Sequence, residues 1–161
     1  MRSNNPTLIL FCGLPGAGKT TLGKKLAQET GLLRLCTDDW MADQGLDLLD
    51  EHQHARSWRK LWQHAWELLE RGQSLIFEDG LWTQEERNVI RERTKQLGIR
   101  TEMHYFDVPM EELVRRLKKR NKEAPHGSAP ITEDMIHRYA NLFEKPSTEE
   151  LKLFDEYHVH N

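Results

Sequence analysis

The feature that most constrains this chain is the segment at positions 13–20, Gly-Leu-Pro-Gly-Ala-Gly-Lys-Thr. It matches the pattern G-x-x-x-x-G-K-[ST], in which glycines let the backbone curl until several N–H groups point at one spot. A polyphosphate fits such a concave surface. The pattern predicts that Lys19 brings a positive charge to the β- and γ-phosphates. It also predicts that the hydroxyl of Thr20 binds Mg²⁺ where a helix begins.

The residues around this segment favour the same interpretation. Residues 7–12 form a short apolar run typical of a buried strand, and residues 21–29 carry Leu22 and Leu26 one helical turn apart. Strand, glycine loop and helix is the arrangement in which the motif binds nucleotides; the alternative is a glycine-rich turn that binds nothing. The predicted nucleotide-binding residues here are Gly13, Pro15, Gly16, Ala17, Gly18, Lys19, Thr20 and Thr21.

Length and composition exclude several classes of protein. The 161 residues suffice for one domain, and a formal net charge of −3 argues against a nucleic-acid binder. Cys12 and Cys36 lie in strand-like runs and are expected to be reduced core residues. The polar first six residues do not resemble a signal peptide, and no apolar run is long enough for a bilayer. We therefore expect a cytoplasmic protein without membrane or nucleic-acid partners, of unknown oligomeric state.

Strand and helix patterns alternate along the chain, which predicts an α/β fold of three layers, α/β/α, around a mainly parallel five-stranded sheet. We expect a single domain over 1–161, a helical insert on the acceptor side at about 40–72, and a short, mobile lid at about 121–131. After the first strand, the predicted strands are 32–36, 74–79, 100–107 and 153–160. The later helices are predicted at 52–71, 83–96 and 109–120, with a last one starting at 132.

An aromatic stripe marks the helix at 52–71. Trp58, Trp62 and Trp66 recur every four residues together with leucines. Such spacing is typical of a helix face packed in the core, and we prefer that interpretation to an aromatic wall for a substrate.

Acidic residues follow two of the predicted strands, at the sheet edge where ligands bind in such folds. Asp38 is a candidate base for an acceptor hydroxyl or a candidate Mg²⁺ ligand through water, whereas Asp39 could equally cap a helix. Asp79 ends a buried strand and suits an indirect Mg²⁺ contact, with a turn residue before Gly80 as the alternative. The side chain of Glu78 should point to the opposite face.

Basic residues offer further candidates. Arg116 and Arg120 lie four apart on one helix face, so both guanidinium groups could reach one nucleotide; a solvated basic face is the alternative. Weaker candidates for the acceptor side or the lid are Arg56, Arg59, Arg87 and His126. The pairs His52/His54 and His158/His160 have metal-ligand spacing, but with no third ligand in sight we expect exposed histidines.

The chain resembles the small P-loop kinases, in the branch that includes adenylate-kinase-like, gluconate-kinase-like, chloramphenicol-phosphotransferase-like and zeta-toxin-like proteins, often labelled AAA-type ATPases. The resemblance rests on 13–21, Thr-Asp-Asp-Trp (37–40), Ile-Phe-Glu-Asp-Gly (76–80), Thr-Gln-Glu-Glu-Arg (83–87), Asp-Val-Pro (107–109), Arg-x-x-x-Arg-Asn (116–121) and Phe-Glu-Lys-Pro (143–146).

The resemblance implies a P-loop NTPase fold, ATP and Mg²⁺ as cofactors, and roles for individual residues. It makes Asp38 the acceptor base, Asp79 the acidic residue of the third strand, Arg116 the residue packed on adenine, and Arg120 a lid residue touching phosphates. Pro146 falls where such proteins line the adenine pocket. Glu78-Asp79 departs from the commoner Leu-Asp. The implied catalytic set is Lys19, Asp38, Asp79 and Arg120, and the implied metal set is Thr20, Asp38 and Asp79.

The resulting hypothesis is an ATP-dependent kinase that phosphorylates a hydroxyl of a small molecule such as an antibiotic, sugar, nucleoside or metabolite. One alternative is a kinase of RNA or polynucleotide 5′ ends, against which the acidic stretch 38–51 argues. A GTPase-like switch is another, although Asn-Lys-Glu-Ala at 121–124 lacks the aspartate of the guanine motif. A non-catalytic nucleotide-binding module is the last.

Overall fold

A five-stranded sheet forms the centre of the protein in the computed structural model, which describes residues 5–161. All strand pairs are parallel, in the order β2-β3-β1-β4-β5, so the first strand lies in the middle. The strands are β1 (Thr7–Cys12), β2 (Leu33–Leu35), β3 (Leu75–Gly80), β4 (Arg100–Phe106) and β5 (Glu156–His160). The predicted five-stranded parallel sheet is confirmed.

Seven helices are found in residues 5–161, and most coincide with the predicted ones. They are α1 (Lys19–Thr30), α2 (Thr37–Asp43), α3 (Glu51–Glu70), α4 (Gln84–Leu97), α5 (Met110–Glu123), α6 (Glu133–Leu142) and α7 (Thr148–Leu151). Thr83 caps α4 through a reciprocal capping box with Glu86. Two differences stand out: α2 begins directly after β2, and the four-residue α7 was not predicted.

Helices cover both faces of the sheet, which confirms the three-layer α/β/α architecture. On one face, Trp62 and Trp66 of α3 are buried, and Trp62 stacks on Phe77 of β3 with ring centroids 3.9 Å apart. The aromatic stripe is therefore mainly core packing. On the other face, apolar residues of β1 and β3 pack with α5 and α6, where Leu113, Leu117 and Ile136 are buried.

This architecture positions the glycine loop. β1 lies between β3 and β4, and the chain connections on its two sides run in opposite directions across the sheet. In such sheets, ligands bind at the carboxyl ends of the strands at this point. The loop 13–18 leads from that end into α1. Within residues 5–161, none of the helices combines the length and the apolar character that crossing a bilayer requires.

Candidate active site

The glycine loop has the backbone conformation that its sequence predicts. Gly16 and Gly18 have φ values of 83° and 105°, a left-handed region in which a side chain would be strained. A Cβ atom on Gly80 of β3 would collide with the carbonyl oxygen of Gly13. The loop is thus a tight, concave turn closed on one side by the end of β3.

Lys19 lies against this loop at the start of α1. Its ammonium group donates to the carbonyl oxygens of Gly13 and Leu14, at 2.9 Å each. Burial lowers the pKa of Lys19, and the negative charge of Glu78 opposes that change. The geometry therefore holds a cation at the mouth of the loop, where a bound anion would stabilise its charged form.

Glu78 is the carboxylate that contacts Thr20, the predicted magnesium ligand. The hydroxyl of Thr20 donates to Glu78 Oε1 at 2.5 Å, and Arg34 Nε donates to the other carboxylate oxygen. Glu78 and Asp79 contact different elements, Glu78 meeting α1 and Asp79 meeting the start of α2. The carboxylate of β3 that contacts Thr20 is therefore Glu78, whereas the sequence analysis selected Asp79.

Asp79 of β3 contacts the start of α2. Its two carboxylate oxygens accept from the backbone N–H of Thr37, at 2.9 Å, and from the Thr37 hydroxyl. Burial raises the pKa of Asp79 to about 6, although the bonds from Thr37 favour the ionised form. These bonds to Thr37 hold the start of α2, the helix that bears Asp38. Asp79 also lines the active-site cavity, and a magnesium role for it stays a prediction.

The adjacent residues Asp38 and Asp39 have different surroundings. Asp38 is half-exposed and lies 3.5 Å from Nε2 of His54 on α3, and this carboxylate raises the pKa of His54. Asp39 instead accepts from Arg34 at 2.6 Å. Gly127 packs so closely on Asp39 that a Cβ atom there would collide with the carboxylate. Of the two, Asp38 has the more exposed carboxylate.

The two predicted arginines of α5 contact different segments: Arg116 contacts the glycine loop, and Arg120 contacts the segment between α5 and α6. Arg116 donates to the carbonyl oxygen of Ala17 at 3.2 Å, and Glu112 accepts from its Nε at 2.8 Å. Arg120 donates to Ala129 at 3.4 Å, and among residues 5–161 its buried Nε finds no hydrogen-bond partner. Burial lowers the pKa of Arg120. A buried guanidinium group with an unsatisfied donor fits an anionic ligand.

A single cavity of about 1400 Å³ joins these groups. Its far wall comes from α3 and the segment before it, with Leu48, Leu49, His54 and Trp58. Trp58, unlike the other two tryptophans of its stripe, therefore contacts the open space. The predicted site residues that line the cavity are Pro15, Gly16, Gly18, Lys19, Thr20, Thr21, Asp38, Asp79, Arg116 and Arg120.

Three predicted nucleotide-binding residues lie outside this lining. Gly13 and Ala17 are buried below the surface of the loop. Pro146 is buried after α6, in a segment whose Leu142 and Glu144 line the cavity. The predicted contact of Pro146 with adenine stays a prediction.

The segment between α5 and α6 covers one side of the cavity, where a lid was predicted. His126 contacts Asp43 of α2, with Nε2 and Oδ1 2.8 Å apart. Together with Gly127 on Asp39, this contact joins the segment between α5 and α6 to α2, the helix that bears Asp38.

The weaker arginine candidates do not line the cavity. Arg87 is fully buried and pairs with Glu150, so its proposed role at the acceptor side or lid is wrong. Arg56 and Arg59 are exposed on α3, away from the cavity lining. The sequence analysis did not select Glu78, which lines the cavity and is contacted by Arg34; a glutamate in an otherwise apolar buried strand was the available signal.

The residues present fit a magnesium-nucleotide complex. The glycine loop offers backbone donors, Lys19, Arg116 and Arg120 surround it with positive charge, and Thr20 and Glu78 supply the oxygen atoms that Mg²⁺ prefers. When bound, Mg²⁺ would neutralise phosphate charge at this place.

Fold and loop together define a P-loop nucleotide-binding protein with a kinase-like arrangement. The chain belongs to the AAA domain family, whose model matches residues 8–146. No curated protein matches the chain in sequence.

Solved structures share the fold. A candidate kinase from Chloroflexus aurantiacus J-10-fl is 23% identical, with a TM-score of 0.72 over 97% of this chain and 88% of that chain. A gluconokinase from Sinorhizobium meliloti 1021 is 17% identical, with a TM-score of 0.61 over 96% and 82%. A chain of the Pnkp1/Rnl/Hen1 RNA repair complex is 23% identical, with a TM-score of 0.67 over 85% of this chain and 43% of that chain. At these identities the likeness concerns the fold.

Proposed function

We propose that this protein is an ATP-dependent phosphotransferase that moves the γ-phosphate of ATP to a hydroxyl group of a small molecule. The observation that carries the proposal is the single cavity whose lining includes both the phosphate loop and the half-exposed Asp38. A nucleotide-binding module without catalysis would not need an accessible carboxylate in the same cavity as the phosphate loop.

Asp38 is proposed as the acceptor base. Its carboxylate takes the proton of the acceptor hydroxyl as the new oxygen–phosphorus bond forms and the bond to the β-phosphate oxygen breaks, so that ADP leaves. Asp79 keeps Asp38 in place through Thr37, and His54 limits its orientation from the side of α3. The acceptor would lie between Asp38, His54 and Trp58.

The phosphate end of the cavity is proposed to work by positioning and charge. Lys19 and the glycine loop hold the β- and γ-phosphates, and Arg116 and Arg120 stabilise the charge of the transferring group. When bound, Mg²⁺ would be held by the hydroxyl of Thr20, which the hydrogen bond to Glu78 orients.

The fold relatives support an acceptor of sugar size, because one of them is a gluconokinase. The relative from an RNA repair complex keeps the RNA 5′-end kinase as the second candidate. The cavity itself favours the first, since its acceptor side contains Asp38, Asp39 and Glu51, which would repel a nucleic-acid backbone.

The test is ADP release measured against a panel of hydroxyl acceptors: sugars and sugar acids, nucleosides, aminoglycoside antibiotics and a 5′-hydroxyl RNA oligonucleotide. Lys19→Ala provides the blank. We expect one small-molecule class to raise ADP release above the ATP-only rate in the wild-type protein and not in the variant.

Stimulation by the RNA oligonucleotide alone would replace the small-molecule acceptor with a polynucleotide. Absence of acceptor-dependent ADP release across the panel, in a protein that binds ATP, would contradict the proposal and favour the non-catalytic module.

A further inference from the structure

Histidine and carboxylate side chains gather at the edge of the sheet formed by β4 and β5. The parallel register places His104 beside His158, Glu102 beside Glu156, and Phe106 beside His160. Alternate residues of a strand point to the same face, so Glu102 and His104 project together with His158 and His160. Sequence reasoning saw only the His158/His160 pair and no third ligand. The sheet supplies two more candidates from β4.

Three of these side chains have ligand atoms at metal-binding separations. Oε1 of Glu102 lies 2.8 Å from Nε2 of His104 and 3.8 Å from Nε2 of His158. The ligand atoms of the three residues all lie within 4.8 Å of one another. Ligands at 2.0–2.1 Å from a tetrahedral zinc ion are about 3.3 Å apart. Small side-chain rotations therefore suffice to bring the three atoms around one ion.

His160 contacts the ring of His104, the ligand in the middle of the cluster. Its Nε2 lies 2.9 Å from Nδ1 of His104, the ring nitrogen that faces away from Glu102. The rings of His158 and His160 stack on that of His104 with centroids 4.8 and 5.2 Å apart. Phe11 of β1 packs edge-on against the same ring at 5.5 Å. A histidine ligand whose second nitrogen is hydrogen-bonded and whose ring is packed has its orientation fixed before the metal arrives.

Burial and exposure of the cluster also suit a metal. His104 is only 5% exposed, whereas His158 is open to solvent on the edge strand. Metal can thus enter from the side of His158, and water can complete the coordination. The cluster lies on the outer edge of the sheet, two strands from β3, so it is separate from the cavity that α1, α2 and α3 line.

We propose that Glu102, His104 and His158 form a binding site for one Zn²⁺ ion, with His160 as the positioning residue of His104. Two imidazole nitrogens and one carboxylate oxygen are ligands that zinc accepts, with a water in the fourth position. The ion would tie the edge strand β5 to β4. The site does not depend on the proposed phosphotransfer.

The test is competition with a chromogenic zinc indicator, using full-length protein without a polyhistidine tag, after treatment with a chelator. Excess Mg²⁺ is present throughout to saturate oxygen sites at the phosphate loop. We expect one Zn²⁺ per chain, and an affinity lower by about tenfold or more in His158→Gln and in Glu102→Gln. His64→Gln is the matched control, because His64 is exposed on α3, far from the cluster. Its affinity should equal that of the wild type.

Two further measurements separate a lost ligand from a lost fold. Thermal unfolding without metal should be similar for His158→Gln and the wild type, since the side chain of His158 is 44% exposed, while added Zn²⁺ should raise the midpoint of the wild type and not that of His158→Gln. Co²⁺ in place of Zn²⁺ should give visible absorption typical of tetrahedral coordination, which His158→Gln should lose. Stoichiometric binding that survives both ligand substitutions, or no binding by the wild-type protein, would overturn the proposal.

Discussion

Arg87 offers a test of how the fold is held together near the site. Its side chain is 1% exposed, and its guanidinium group donates to Glu150 at 2.7 and 3.2 Å. It also donates to the carbonyl oxygens of Leu81 and Glu144, at 2.8 Å each. One buried cation thus joins α4 to α7, to the end of β3 and to the segment after α6. We consider Arg87→Met, which keeps much of the volume and removes every donor.

The expected loss follows from what the substitution leaves behind. Glu150, 5% exposed, would remain as a buried charge without its partner, and two carbonyl oxygens would lose their donors. Breaking a buried ion pair by removing one partner costs about 3–5 kcal/mol. For a chain of this length, each kcal/mol lowers the unfolding midpoint by about 2–4 °C. Arg87→Met should therefore unfold about 6–20 °C below the wild type.

The assay is thermal unfolding followed by circular dichroism, with two companion variants. Arg87→Met/Glu150→Gln should recover part of the loss, because the buried charge is gone. Arg100→Met removes an exposed pair with Glu156, where water replaces the partner, and should change the midpoint much less. If Arg87→Met unfolded at the same temperature as Arg100→Met, the reasoning about the buried network would be refuted.

Three further predictions concern the site. Asp38→Asn should lower kcat by about 10²–10⁴-fold with unchanged ATP affinity, because only the base is lost; an unchanged kcat in a steady-state ADP assay would remove Asp38 from catalysis. Because burial raises the pKa of Asp79 to about 6, the folded state binds its proton more tightly than the unfolded state does. Relative to Asp79→Asn, the wild type should gain stability as pH falls from about 7 to 5; unfolding midpoints that stay parallel across this range would contradict the assignment. Gly127→Ala should displace the lid from Asp39 and speed proteolysis of the 124–131 segment, with little change in the unfolding midpoint; equal cleavage rates would argue against the close packing.

Much of the fold follows from local sequence patterns. The glycine loop, the apolar run before it and the amphipathic helix after it are each readable within a few residues, because turn, strand and helix preferences are set locally. Strands alternating with helices then leave a parallel sheet with helices on both faces as the simple solution. The main local miss is α7, which is too short to show a helical period.

The sequence predicted many residues of the cavity lining but few of the contacts between them. Asp38, Arg116 and Arg120 line the same cavity as the glycine loop. The sequence did not indicate that Glu78 rather than Asp79 accepts from Thr20, because this contact depends on how β3 packs against α1.

Long-range pairs were out of reach of sequence patterns. Arg87 lies on a helix rich in charged residues, and the sequence offered it only as a weaker candidate for the acceptor side or the lid. Its partner Glu150 is 63 residues away, on the unpredicted α7. The same holds for His104 and His158, which become neighbours only through the register of β4 and β5.

The most direct test of the central claim is a calorimetric titration of the protein with ATP in the presence of Mg²⁺. The claim is that the loop at positions 13–20 binds the phosphates of a nucleotide, with Lys19 at its mouth. We predict one ATP bound per chain, with an affinity lower by about tenfold or more in Lys19→Ala, since a charged hydrogen-bond donor is lost. No saturable binding by the wild-type protein, or equal affinity in a folded Lys19→Ala variant, would contradict the claim.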